Sequence, residues 1–202
     1  MSSMKVHIVF TRFEESFISR AILWFSQRKR EMDRRCAHVL IRFTPFGGVF
    51  TGASEWWKFE AMERGVWPSI WKEDEPGSVI VAEFKIEASE DRCFEVMGEA
   101  LKKYNDWWYD YAGIGIWAYA ILLKRWCGTL VKWFNWTFRP KAAKEALFCS
   151  GLALEVVRMF QREMPDKDFG MAHLTPRTST PQNEIDICFD NPNYTFIRGA
   201  AD

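Results

Sequence analysis

The chain has no excess of charge: Lys+Arg and Asp+Glu both number 27 in 202 residues, so the net charge is zero. Nothing in that balance draws it toward nucleic acid or an anionic membrane. Histidine is scarce, with three in all and none spaced with cysteine or carboxylate as a zinc site requires. The five cysteines, Cys36, Cys93, Cys127, Cys149 and Cys188, are odd in number and contain no CxxC pair. That is not a disulfide framework, and it fits a reducing compartment. The N-terminal Met-Ser-Ser-Met-Lys-Val-His-Ile carries no charged region followed by a long apolar one, so no signal peptide is read and a cytoplasmic location is expected. Delivery by another route, such as a phage-encoded lysis or virion component, is compatible with this. Long apolar runs are also missing. The best, Ala112 to Leu123, is stopped by Lys124-Arg125, whereas a bilayer span needs about 20 residues. A buried helix is the first reading of that run. An interfacial helix continued by Trp126, Leu130, Trp133 and Trp136 is the second.

What is abundant is aromatic. Phe, Trp and Tyr make up 16% of the chain, and 11 residues are Trp. Such rings fill a core or form an exposed surface for lipid, peptide or protein. The length suits one domain with a sizeable core. Periodicity predicts strands at Lys5–Thr11, Cys36–Thr44, Val49–Thr51, Trp56–Met62, Ser78–Ile86 and Asn193–Arg198. It predicts helices at Phe13–Arg35, Ser89–Tyr104 and Cys149–Met164. Gly65-Val66-Trp67-Pro68 reads as the end of a strand section, and the stretch from Thr175 as a turn-rich tail. The basic end of the first helix complements the helix dipole.

Two residues carry the chemistry. His38 opens the alternating run His-Val-Leu-Ile-Arg-Phe, and Cys149 opens the apolar helix Cys-Ser-Gly-Leu-Ala-Leu. A helix N-terminus lowers a thiol's pKa and offers N–H donors to an oxyanion. An imidazole nearby holds the ion pair and passes protons, and a third polar group orients it. Glu60, on the following strand, is placed for that third role; Glu55 and Glu63 are the alternatives. Each residue also has an ordinary structural use: packing for the cysteine and histidine, a solvated strand position for Glu60.

Four segments, taken in this order, resemble one family. They are Ser16 to Ile22, Ala37-His38-Val39-Leu40-Ile41, Lys58-Phe59-Glu60-Ala61 with Gly65-Val66, and Trp108-Tyr109-Asp110-Tyr111 with Phe148-Cys149-Ser150-Gly151-Leu152. The chain resembles the circularly permuted papain-like fold, the permuted branch of the NlpC-type amidase superfamily. This branch includes YiiX-like hydrolases and lecithin:retinol acyltransferase-like enzymes. The likeness covers roughly residues 5 to 175. It implies an α+β domain over 1–202, with an antiparallel sheet packed against helices and an aromatic helical insertion at about 112–140. It implies Cys149 as nucleophile, His38 as base, Glu60 as orienting residue and Tyr109 as a hydroxyl near the oxyanion, with no cofactor and no metal. Three departures stand out: Gly151 where the family often has Glu, a segment between His38 and Glu60 longer than the usual hairpin, which is what makes Glu55 and Glu63 alternatives, and the long aromatic segment from Tyr111 to Phe148. The expected activity is cleavage of an amide in a peptide-like or cell-wall-like substrate. A lipid acyl hydrolase or acyltransferase, and an inactive binding or structural relative, stay open. The aromatic stretch 107–136 is the expected place for peripheral membrane or protein contact, and no nucleic-acid partner is expected.

Overall fold

The computed structural model describes residues 4–13, 19–20, 23, 35–44, 56–62, 65–72, 77–109, 146–176 and 179–199. Its larger sheet is antiparallel and contains β1 (Val6–Phe13), β2 (His38–Phe43), β3 (Trp57–Met62), β4 (Gly65–Ile70), β5 (Ser78–Ile86) and β8 (Tyr194–Gly199). They run in the order β4-β3-β2-β1-β5-β8. Two short strands, β6 (Trp108–Tyr109) and β7 (Ala146–Leu147), pair in parallel beside it. The helices are α1 (Glu90–Tyr104), α2 (Cys149–Glu163) and α3 (Pro181–Asp190). The class is therefore α+β, with an antiparallel sheet and three helices among the described residues.

Side-chain alternation divides the sheet into two unlike faces. Val6, Ile8 and Phe10 of β1, Val39, Ile41 and Phe43 of β2, Phe59 and Ala61 of β3, and Ala82, Phe84 and Ile86 of β5 enter one apolar core. The α1 residues that join them, Cys93, Val96, Met97, Ala100 and Tyr104, recur at helical spacing. Helix α2 is buried along most of its length, and Tyr104 of α1 donates to Glu155 of α2 at 2.6 Å. The alternate positions include Val9 and Leu40 but are largely polar, and the polar ones too are buried: His7, His38, Arg42, Lys58, Glu60 and Glu83.

Buried charge must be paired, and on this face it is. Glu83 accepts from His7 Nδ1 at 2.6 Å, Arg42 Nη1 at 2.9 Å and Arg198 Nε at 2.7 Å. One carboxylate thus joins β1, β2, β5 and β8. The Arg42 guanidinium lies over the rings of Trp56 and Trp71, 4.0 and 5.3 Å from their centroids, a cation–π arrangement that suits a desolvated cation.

Three sequence expectations change. β1 continues through Phe13, because Arg12 and Phe13 pair with Val79 and Ser78 of β5; this displaces the expected start of the following helix. Of that helix, Ser19, Arg20 and Leu23 are described, and all three are helical. Residues 65–70 form a full strand, β4, despite Pro68. As β4 is an edge strand, a missing N–H is tolerated there. The tail from Thr175 contains α3, with Thr180 as N-cap accepting from Asn183 N and Pro181 at its start. The expected strand 49–51 and the aromatic insertion 112–140 lie outside the described residues. Among the described residues no helix is long and apolar enough to cross a membrane. Cys36, Cys93, Cys149 and Cys188 are in no disulfide.

Candidate active site

The site lies where β2 and β3 part. Their pairing runs only from Ile41↔Phe59 to Phe43↔Trp57, so the start of β2 and the end of β3 are not joined to each other in that ladder. His38 and Glu60 stand on the two sides of this gap, and His38 Nε2 meets Glu60 Oε2 at 3.1 Å. Glu60 Oε1 is held in turn by Lys58 Nζ at 2.7 Å. Phe13, at the end of β1, places its ring 5.6 Å from the imidazole. The sequence reading overlooked Lys58. The signal available for it was period-two spacing, which puts residues 58 and 60 on one face of a strand.

Cys149 arrives from the opposite direction, as the first residue of α2. That N-terminus has no side-chain cap and no acidic residue in its first turn, unlike α1, which has Ser89, Glu90 and Asp91. Its unpaired N–H groups and positive dipole end therefore remain available to an anion. The thiol lies close enough to His38, and to the backbone N–H groups of Val39 and Ser150, for each of them to bear on its ionisation. β7, immediately before the helix, is held by β6, where Tyr109 pairs with Leu147.

The electrostatics follow from these contacts. Burial alone would raise the Cys149 thiol, but the His38 charge and hydrogen bond, then the Val39 and Ser150 N–H groups, outweigh it and bring the thiol below its usual range. Burial alone would lower His38, but the Cys149 charge and hydrogen bond, followed by Glu60, raise it to about 10. For Glu60, burial is again opposed, here by His38 and then Lys58, and the carboxyl ends below its usual value. All three shifts favour a thiolate–imidazolium pair backed by a carboxylate.

The structure thus gathers Cys149, His38 and Glu60 at one place, with His38 bonded to Glu60 and its charge acting on the thiol. Tyr109 is half-buried on β6, beside the strand that leads to Cys149. Glu55 and Glu63 lie outside the described residues. The Gly151 departure has a local cause: a Cβ at this position would stand 2.8 Å from the Pro176 carbonyl oxygen. Pro176 packs against α2 there. Among the described residues no group of His, Cys, Asp and Glu is arranged to hold a metal ion. No family model, no curated protein and no solved structure matches the chain.

Proposed function

We propose that the chain is a cysteine hydrolase of permuted papain-like type that cleaves an amide bond through an acyl-enzyme on Cys149. The observation that carries this is the buried His38–Glu60 hydrogen bond set beside Cys149, at the start of a helix without a side-chain cap. The thiolate attacks the carbonyl carbon, and the oxyanion forms against the Cys149 backbone N–H and a second donor. The His38 imidazolium gives its proton to the amide nitrogen as the C–N bond breaks, and the amine leaves. A water molecule then loses a proton to His38 and attacks the thioester, releasing a carboxylate and restoring the thiolate. An imidazole raised to about 10 remains charged at neutral pH, which suits protonation of a poor amine leaving group.

The first test is alkylation of native protein by iodoacetamide from pH 5 to 9, with the modified cysteine located by mass spectrometry. An ordinary thiol is only about 0.3% thiolate at pH 6. Cys149 should label at pH 6 well before the other four cysteines. His38→Ala should slow it by about tenfold or more, and Cys149→Ser should abolish labelling at that position. Labelling of Cys149 no faster than that of the other cysteines overturns the proposal. Cys149 is 5% exposed, against 1% or less for Cys36, Cys93 and Cys188, so the loss of rapid labelling in His38→Ala is what separates activation of the thiol from its greater access.

A lipid acyl hydrolase or acyltransferase would use the same nucleophile. The observation on its side is Trp108, 76% exposed at the start of the aromatic stretch. A panel of peptide amides and long-chain acyl esters, assayed with and without vesicles, separates the two.

A further inference from the structure

From the residue that follows the nucleophile runs a second polar chain that the mechanism does not use. Ser150 Oγ donates to the Ser179 carbonyl at 2.9 Å, and Ser179 Oγ donates to Glu184 Oε1 at 2.5 Å. All three residues are buried. The backbone supports them, with Ser179 N donating to Thr175 O at 2.8 Å and Glu184 N to Thr180 O at 3.2 Å. The same segment touches α2 twice more, through the Pro176 carbonyl against Gly151 and through Arg158 Nη2 donating to Leu174 O at 2.6 Å. Glu184 Oε2 is buried with no hydrogen-bond partner among the described residues. Burial raises this carboxyl, the Ser179 hydrogen bond opposes that, and the nearby Cys149 charge raises it further. It is held neutral, and an anion here would stand against the thiolate.

Ser150 directly follows Cys149 in the first turn of α2, and its hydroxyl is tied to Ser179. We propose that Ser179 and Glu184 are positioning residues for the nucleophile, their hydrogen-bonded chain fixing the Ser150 hydroxyl and with it the first turn of α2 that carries Cys149. This deepens, and rests on, the cysteine-hydrolase reading. Loss of the chain lets that turn drift, and the helix N-terminus supports the thiolate less well. The other titratable groups around this corner are His38 with Cys36 before it, Lys58 and Glu60 on β3, and Asp186 and Cys188 on α3.

The test is the pH profile of Cys149 alkylation in wild type, Ser179→Ala, Glu184→Ala and Glu184→Gln, with thermal unfolding of each. Folded Ser179→Ala and Glu184→Ala should move the acid limb up by about one pH unit, slowing alkylation at pH 6 about tenfold. Glu184→Gln should restore the limb, because its amide oxygen still accepts from Ser179. A purely structural role would lower the unfolding temperature without moving the limb, and that result overturns the proposal. So does a folded Glu184→Gln that loses the limb. If Glu184→Ala does not fold, Ser179→Ala, which removes a single hydroxyl, decides the matter. Selective labelling in wild type with unmoved variants removes only the positioning chain. Wild type without selective labelling removes the hydrolase reading, and the chain with it.

Discussion

Glu60 is shared between two cations. Oε2 meets His38 and Oε1 meets Lys58, with all three residues buried. Removing one partner of a buried pair strands the other charge. Lys58→Met should therefore destabilise the fold by about 3 kcal/mol, read as a lower denaturant midpoint at pH 7. It should also raise the Glu60 carboxyl, since Lys58 helps lower it, and so move the acid limb of Cys149 alkylation upward. An unchanged midpoint and limb would show that Lys58 does not support the site. At this scale the sequence was informative about residue types. A cysteine opening an apolar helix and a histidine opening an alternating strand are local patterns. Lys58 and Glu184 were less legible: spacing puts Lys58 and Glu60 on one strand face, but that this face is buried, and that Glu184 reaches Ser150 through Ser179, are properties of the fold.

Helix α2 gains from having no side chain at Gly151. Alanine ordinarily favours a helix over glycine by about 1 kcal/mol. Here the added Cβ would stand 2.8 Å from the Pro176 carbonyl oxygen, and backbone has to shift to admit it. Overpacking of that kind costs about 1–3 kcal/mol, so Gly151→Ala should be destabilising on balance, with a lower thermal midpoint. Alanine at Gly98 of α1, where nothing lies within 4 Å, should raise the midpoint. The elements with regular periodicity were readable: β2, β3 and β5, and helices α1 and α2, whose buried positions recur along one sequence stretch. Helix α3 was hidden by its surroundings. Thr180-Pro181 is a sound helix start, but it follows Pro176, Thr178 and Ser179, which read as loop. β4 was hidden by Pro68, since its position at the sheet edge is a property of the topology.

Across the whole molecule, Glu83 is the carboxylate on which acid stability turns. Burial would raise it, but its bonds to His7 and Arg198 and the charge of Arg42 hold it at about 2, below an ordinary glutamate at about 4.3. A depressed folded value means the stabilisation is complete above the ordinary range and is lost as pH falls toward about 2. The shift corresponds to about 3 kcal/mol. Denaturant midpoints should fall between pH 5 and pH 2.5, and Glu83→Gln should flatten much of that slope; an equally steep fall in the variant would place the acid sensitivity elsewhere. The same seam has a kinetic consequence. Glu83 binds His7 across 76 residues of chain and Arg198 across 115, and β1, early in the chain, lies between β2 and β5. Closing such loops is an entropic cost that comes before the contacts that reward it, which places folding in the slow range of milliseconds to seconds. Collapse of the apolar core on dilution from denaturant should then outrun the ordering of the sheet. During that interval the cysteine at the head of α2 is an unactivated thiol, and recovery of its selective alkylation should follow the slower phase.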